Sequence, residues 1–325
     1  MVKLVVARQW IRRQWARPRP SLPCLDGIPA LPFSGDNVPL FPVFGFVLMR
    51  EIKHLFLKKV DIPSFVNGDV RLLKHDNSIV AEDYLDKRWE EATGEVVDEV
   101  IFLSRHTAVS NRPALTVHPI GIPHLREDET PLQGGKPGWA GPPNPRIGPW
   151  LRHLKKIAEN NGLIPEFEVT LEGTHHGPTV DTPTLFVEIG STEEYWKRQD
   201  AAQAVALVEN SEKNKVLLGL GGGHYVPRQM DVVRKDGVWV GHLLSGYSIP
   251  MEDPGKSKSQ NGTTSIGGTW KQAIKVAYEA TKLAFPGGEI LAFVDQKNFK
   301  SWQKIAILGF LAAQNIRVGK PEDFY

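Results

Sequence analysis

The chain contains a single cysteine, Cys24, in 325 residues. One thiol closes no internal disulfide and builds no cysteine zinc cluster. The sequence therefore reads as a protein of a reducing compartment, with any metal site resting on His, Asp or Glu. No run approaches the ~18 apolar residues of a membrane span. A secretory signal is also missing, because Met1–Ala7 is followed by Arg8, Trp10, Arg12 and Arg13 instead of an apolar core. Net charge is only +2. That gives no global signature of nucleic-acid binding, so such a partner would be held by a local patch. The GxSxG elbow, the P-loop and the dinucleotide fingerprint are all absent. No internal repeat is visible.

Hydrophobic residues make up 41% and charged residues 23%, an ordinary globular composition. The basic charge is concentrated at the front: up to Lys59 there are 10 Lys/Arg against 3 Asp/Glu. Met1–Ala7 reads as a short strand. Arg8–Pro42 mixes arginine, proline and tryptophan without a helix or strand period. We read residues 1–59 as an atypical basic segment, poorly ordered after its first strand. Two rivals stand beside that reading, an organelle transit peptide and a basic arm for RNA.

From residue 60 the pattern is that of one α/β domain running to residue 325. Strands are expected at Arg71–His75, Ser78–Ala81, Glu95–Leu103, Ala114–His118, Phe167–Leu171, Thr184–Ile189, Lys215–Leu220, Gly237–Gly241 and Glu289–Val294. Helical spacing is expected at Glu82–Thr93, Trp150–Asn161, Glu193–Glu209, Trp270–Ala284 and Lys300–Gln314. Strands alternating with helices indicate an α/β layered fold with a mixed, largely parallel sheet. Pro119–Pro149 is dense in Gly and Pro, and so long an irregular loop is usually functional or disordered. Ser257–Gly268 reads as a polar loop.

The chemistry gathers around Phe167–Trp196, two strands flanking a loop with His175 and His176. Of the ten histidines, His106, His118, His175, His176, His224 and His242 each fall at or just past the end of an expected strand. Ligands of open α/β sheets bind at the carboxyl ends of strands. A composite site is therefore expected, which Glu172, Asp181 or Glu188 could join. Gly221–Gly223 permit close backbone approach and could aim amides at a phosphate or an oxyanion. Such a set suits zinc or another divalent metal with open positions. It equally suits metal-free acid–base work by a neutral histidine. Thr174, Thr179 and Ser191 are the available hydroxyl nucleophiles. The bland alternative is a surface loop with solvated histidines and Glu188 on a solvent face.

Five blocks then carry a resemblance: Ser104-Arg105-His106, Pro113–His118 (PALTVH), Thr174–Thr179 (THHGPT), Glu188–Trp196 (EIGSTEEYW) and Leu218–Tyr225 (LGLGGGHY). In their order and approximate spacing, from about Val60 to Tyr325, the chain resembles the archaeal and plant type of D-aminoacyl-tRNA deacylase, its plant members most. The resemblance implies hydrolysis of the ester between a D-amino acid and the 3′ end of tRNA, extending to D-aminoacyl-tRNA modified by small aldehydes. It also implies zinc dependence and a fold similar to peptidyl-tRNA hydrolase and nucleoside phosphorylases. His106, His175, His176, Glu188 and His224 carry over as site positions. Our working assignment gives zinc to His106, His176, Glu188 and His224. It gives catalysis to His175, Thr174 and Arg105, and substrate contacts to His118, Gly221, Gly222, Gly223 and Tyr225. The expected partner is the RNA substrate, with no membrane, a monomeric state, and a cytoplasmic or also nuclear location. At the N-terminus the resemblance fails: relatives follow the first strand with a helix, and Arg8–Pro42 lacks the pattern for one. That leaves either an unusual extension or a misjoined exon. Two rival functions remain, a non-catalytic tRNA or nucleotide-binding module and a phosphorylase-like enzyme.

Overall fold

The structure is a computed structural model that describes residues 2–8, 50–51, 64–67, 69–75, 78–132, 134–198, 201, 215–235, 237–254 and 266–324. The basic stretch after the first strand, the tail of the expected Glu193–Glu209 helix and most of the Ser257–Gly268 loop lie outside these residues.

Apolar runs buried on both faces make the centre of the main sheet. Strand β5 (Val97–Arg105) pairs in parallel with β8 (Thr184–Gly190), and Phe102 stacks on its partner Phe186 with ring centroids 4.8 Å apart. The first strand, β1 (Val2–Arg8), lies between β5 and β4 (Val70–His75), parallel to both. Beyond β4 come β3 (Ser64–Asn67) and the two-residue β2 (Arg50–Glu51), both antiparallel to their neighbours. On the other side of β8, β6 (Ala114–Pro119) runs antiparallel to it, and β7 (Glu168–Leu171) runs parallel to β6. The order is β2-β3-β4-β1-β5-β8-β6-β7. A second sheet, β10-β9-β11, is wholly parallel, formed by Val238–Leu244, Lys215–Leu220 and Glu289–Val294. The fold is thus α/β with mixed, mostly parallel pairing, as the sequence pattern indicates.

Helix α2 (Ile147–Asn160) joins the two sheets. Its Leu151 and Leu154 share one core with Leu115 and Leu171 of the main sheet and Leu217 and Leu243 of the second. Arg152 donates to the carbonyls of Val233 and Val238. Helices α4 (Pro227–Val233), α5 (Trp270–Ala284) and α6 (Ser301–Ala313) complete the second half. Two expected strands change. Ser78–Ala81 forms a 3₁₀ turn at Ile79–Ala81, with Ile79 buried against Leu85 and Trp89 of helix α1 (Leu85–Thr93). Gly237–Gly241 extends to Leu244, so His242 lies inside β10 and not at its end.

The residues leading into α1 clamp the loop that follows His176. Asp86, fully buried, accepts hydrogen bonds from the amides of Asp181 (3.0 Å) and Thr182 (3.0 Å) and from the Thr182 hydroxyl (2.9 Å). Asp83 accepts from the amide of Thr179. Asp86→Ala strands two backbone donors and is expected to cost roughly 2–4 kcal/mol. Asp86→Asn, which keeps an oxygen acceptor, is expected to cost clearly less. Urea unfolding midpoints check both, and equal losses would count against the clamp.

Candidate active site

Glu172 is the first residue after β7, and its side chain is completely buried. Its backbone continues the ladder by donating to Val117 O at 3.0 Å. The next two amides cross to the second sheet, Gly173 to His224 O (2.7 Å) and Thr174 to Leu243 O (2.6 Å). The Glu172–Thr174 backbone therefore stitches the sheets together where the strand ends converge.

Three histidines approach the Glu172 carboxylate. His106 Nδ1 lies 3.0 Å from Oε1, His224 Nε2 2.6 Å from Oε2, and His175 Nε2 3.6 Å from Oε2. His106 Nδ1 is also 3.4 Å from Glu188 Oε2, and its Nε2 meets the Tyr225 hydroxyl at 2.7 Å. The ring fits only because residue 190 is glycine: a Cβ there would fall 2.6 Å from His106 Cβ. His118 stacks on Phe186 and bonds Pro119 O through Nδ1 at 3.0 Å, which aims Nε2 toward Glu188 Oε1, 3.9 Å away. His176 packs edge-on against both His118 and His175. Close approach is not the same as aligned hydrogen bonding. Both Glu172 oxygens, His118 Nε2 and His176 Nδ1 are buried without an aligned hydrogen bond.

Charge in the cluster is divided by position. Burial opposes protonation of His106, but the close approach of the Glu172 and Glu188 carboxylates, 3.0 and 3.4 Å from Nδ1, overcomes it and pushes the pKa up to about 11. Burial likewise opposes ionisation of both carboxylates, yet their imidazole partners win. Glu188 falls to about 2, and Glu172 falls well below the ordinary range. His175 is pushed well below its usual value, first by burial and then by His176 and His118. His176 falls to about 4, again chiefly by burial. The site thus holds neutral His175 and His176 beside two ionised carboxylates, whose charge in turn raises the pKa of His106 and His118. The neutral rings can accept a proton and the carboxylates can face a cation.

Among the described residues, three groups place their potential ligand atoms within 4.8 Å of one another: His106–Glu172–His224, His118–Glu172–Glu188 and His118–His175–His176. The four residues assigned to metal from sequence divide among these groups. Glu172, weighed in the sequence only as one of three carboxylates, joins two of the three. Asp181 is exposed, and its amide is held by Asp86. A cavity of about 830 Å³ opens on the cluster. Its wall includes His106, His175, His176, Glu188 and His224, and Arg105, Trp196, Ile122 and Leu132 line it as well. Residues of the Pro119–Pro149 loop, Ile122, His124 and Leu132 among them, line it.

Other assignments take different posts. His242 is fully buried, and its Nε2 donates to Gly141 O at 2.8 Å. Burial lowers its pKa to about 4, so Nδ1 is an acceptor and the Thr174 hydroxyl donates a hydrogen bond to it at 3.0 Å. Thr174 Oγ1 also accepts from Leu243 N. Its hydroxyl is thereby committed to holding the loop, which gives Thr174 a positioning role. The Gly221 amide donates to Leu244 O at 2.7 Å and is not aimed at substrate. Gly221 itself is required by its φ of +95° and by Phe299, 2.7 Å from where a Cβ would stand. Gly222, also at positive φ, completes the turn that delivers His224. Tyr225 serves His106 directly.

The neutral His242 makes stability depend on pH. Its folded pKa of about 4 lies below the ordinary 6.5, so between these values the unfolded chain binds a proton that the fold refuses. Stability is therefore full above about 6.5 and falls as pH drops toward 4, by about 3 kcal/mol for this residue. Chemical unfolding of chelator-treated protein at several pH values is expected to show this slope, and His242→Gln is expected to flatten it. An unchanged slope in His242→Gln would contradict the assignment.

A sequence model of the D-aminoacyl-tRNA deacylase family matches residues 93–319. The chain is 64% identical over 281 residues to the D-aminoacyl-tRNA deacylase of Arabidopsis thaliana, covering 81% of this chain and 89% of that one. It is 31% identical over 261 residues to the enzyme of that name from Methanosarcina barkeri, covering 79% and 76%. The crystal structure of a conserved protein of unknown function, AF0625, matches 99% of this chain and 96% of its own, with a TM-score of 0.68 at 21% identity. That last likeness shows the fold. The sequence matches go further, and the chain belongs to the D-aminoacyl-tRNA deacylase family.

Proposed function

We infer that this chain hydrolyses the ester joining a D-amino acid to the 3′ end of tRNA, releasing the free amino acid and the tRNA. The observation that carries this reading is the convergence of three cavity-lining histidines, His106, His175 and His224, on the buried Glu172 behind them, in a chain of this family. No helix among the described residues is long and apolar enough to cross a membrane.

Zinc is our proposal for the cofactor. The donor set is imidazole and carboxylate with no thiolate, as a hydrolytic zinc site accepts. The buried, unaligned Glu172 oxygens, His118 Nε2 and His176 Nδ1 support a cation at this place. His106, Glu172 and His224 would hold it, with His118 and Glu188 adjoining, and His106 would give up its proton to the solvent as the ion binds. Such an ion supplies a Lewis acid for the ester carbonyl and lowers the pKa of water to about 7.

The chain's own residues supply the rest. The Nδ1–H of His175 donates to Gly173 O at 2.7 Å, which fixes the ring and leaves Nε2 with a lone pair. Held neutral by burial and its histidine neighbours, His175 is suited to take the proton from the attacking water. The same nitrogen can return it to the ribose oxygen as the carbon–oxygen ester bond breaks. The Asp86 clamp and Thr174–His242 hold the loop that carries this histidine.

The phosphorylase-like alternative loses support because the Gly221 amide is spent on Leu244 O. Our proposal for the finer fold is kinship with peptidyl-tRNA hydrolase and nucleoside phosphorylases, supported by a mostly parallel sheet with its site at strand ends. For the compartment we propose the cytoplasm, supported by the lone Cys24.

D-Tyr-tRNA is expected to be deacylated far faster than L-Tyr-tRNA. A chelator should abolish the reaction and added zinc restore it. Equal rates on both substrates, or turnover indifferent to chelation, would sink the respective claim. Glu172→Gln is expected to lower kcat/KM on the order of 100-fold or more while also lowering bound zinc per chain. A variant that keeps both would remove Glu172 from the centre of the site.

A further inference from the structure

We propose that Arg105 and Trp196 form the platform for the 3′-terminal nucleobase of the tRNA substrate. This subsite rests on the deacylase reading and refines it. The placement follows from the sheet. Strands β5 and β8 are parallel neighbours, with Ser104 opposite Glu188 and Arg105 opposite Ile189. The end of β5 delivers Arg105 and His106 in succession. Strand β8 delivers Glu188, and the short helix α3 (Glu193–Trp196) just beyond it ends at Trp196. One pair of strand ends therefore supplies His106 and Glu188 of the cluster and the two residues beside them.

Trp196 Nε1 donates to His106 O at 2.9 Å, which ties the indole edge to the backbone of a cluster residue. The Arg105 guanidinium carbon lies 4.7 Å from the centre of the indole ring. Both side chains are half-buried and line the cavity that His106, His175 and His224 also line. Aromatic rings and guanidinium planes are the two surfaces on which proteins stack unpaired bases. The last nucleotide of an aminoacyl-tRNA is unpaired and carries the ester on its own ribose. Its base must then lie within one nucleotide of the reacting carbon, and this platform begins one peptide bond from His106. A cavity of about 830 Å³ has room for a nucleoside beside an amino acid. On the outer side of α3, Lys197 pairs with Glu193 at 2.6 Å and takes no part in the platform.

The test uses the full chain and two readouts. In the first, steady-state deacylation of D-Tyr-tRNA is compared for wild type, Trp196→Ala, Trp196→Phe and Arg105→Gln, with circular dichroism as a check on folding. The second reads fluorescence of a single-stranded trinucleotide ending in 3′ 2-aminopurine, which is quenched on stacking. Trp196→Ala is expected to raise KM roughly 10-fold or more with kcat within about twofold, and to abolish quenching. Trp196→Phe, which keeps a ring but loses the indole N–H, is expected to recover most of both. Arg105→Gln is expected to raise KM in the same way. Unchanged KM and unchanged quenching in Trp196→Ala would overturn the platform. A collapse of kcat at constant KM in Arg105→Gln would instead put the guanidinium on the developing oxyanion. Quenching through Trp196 in a protein that leaves D-Tyr-tRNA intact would sink the deacylase reading and keep the base platform. Deacylation with no dependence on Trp196 would do the reverse.

Discussion

A carboxylate buried without solvent costs several kcal/mol unless the surrounding groups restore what water gave it. Glu172 is such a group, and much of the architecture answers to it. Its neighbours come from separate strand ends: His106 from β5, His175 from the loop after β7, and His224 from the turn after β9. These ends meet only if the second sheet docks against the β7 end of the first. The amides of Gly173 and Thr174 bond across to His224 and Leu243, and the apolar face of α2 fills the space behind. The carboxylate and the docking of the sheets are therefore one requirement.

The same constraint divides the histidines by charge. His106 touches both Glu172 and Glu188 and holds its proton up to about 11. His242 is fully buried, His175 and His176 are largely enclosed at the cavity wall, and with less carboxylate contact all three stay neutral at physiological pH. Histidines in one small region thus differ in role because of which oxygen each can reach. A neutral imidazole next to ionised carboxylates is what proton transfer at an ester requires, and the Asp86 and His242 contacts keep it in place.

The sequence was most informative where strands are buried on both faces. The runs around Phe102 and Phe186 both form central strands, β8 where the pattern puts it and β5 two residues further along than expected, at Val97–Arg105. Topology was out of reach. Nothing in Ala114–His118 says that β6 lies antiparallel to β8 or that the chain builds two sheets, because register and order are set by tertiary packing. Histidines at strand ends were legible as a gathering, since parallel strands place those ends on one edge. His242 misled, because β10 runs two residues past it and turns the ring inward to Thr174 and Gly141. The centrality of Glu172 was hidden for a simpler reason. One acidic residue following Leu171 looks like any strand terminus until the partners from β5 and β9 are in place. Trp196 was legible only as part of a shared block, since its link to Arg105 and His106 is a tertiary contact between α3 and the end of β5.

Zinc-edge anomalous diffraction from crystals grown with stoichiometric zinc tests the central claim most directly. The account predicts a peak at bonding distance, about 2.0–2.2 Å, from a Glu172 oxygen and from ring nitrogens of His106 and His224. A fully occupied peak elsewhere in the chain, or none at this cluster, would contradict it.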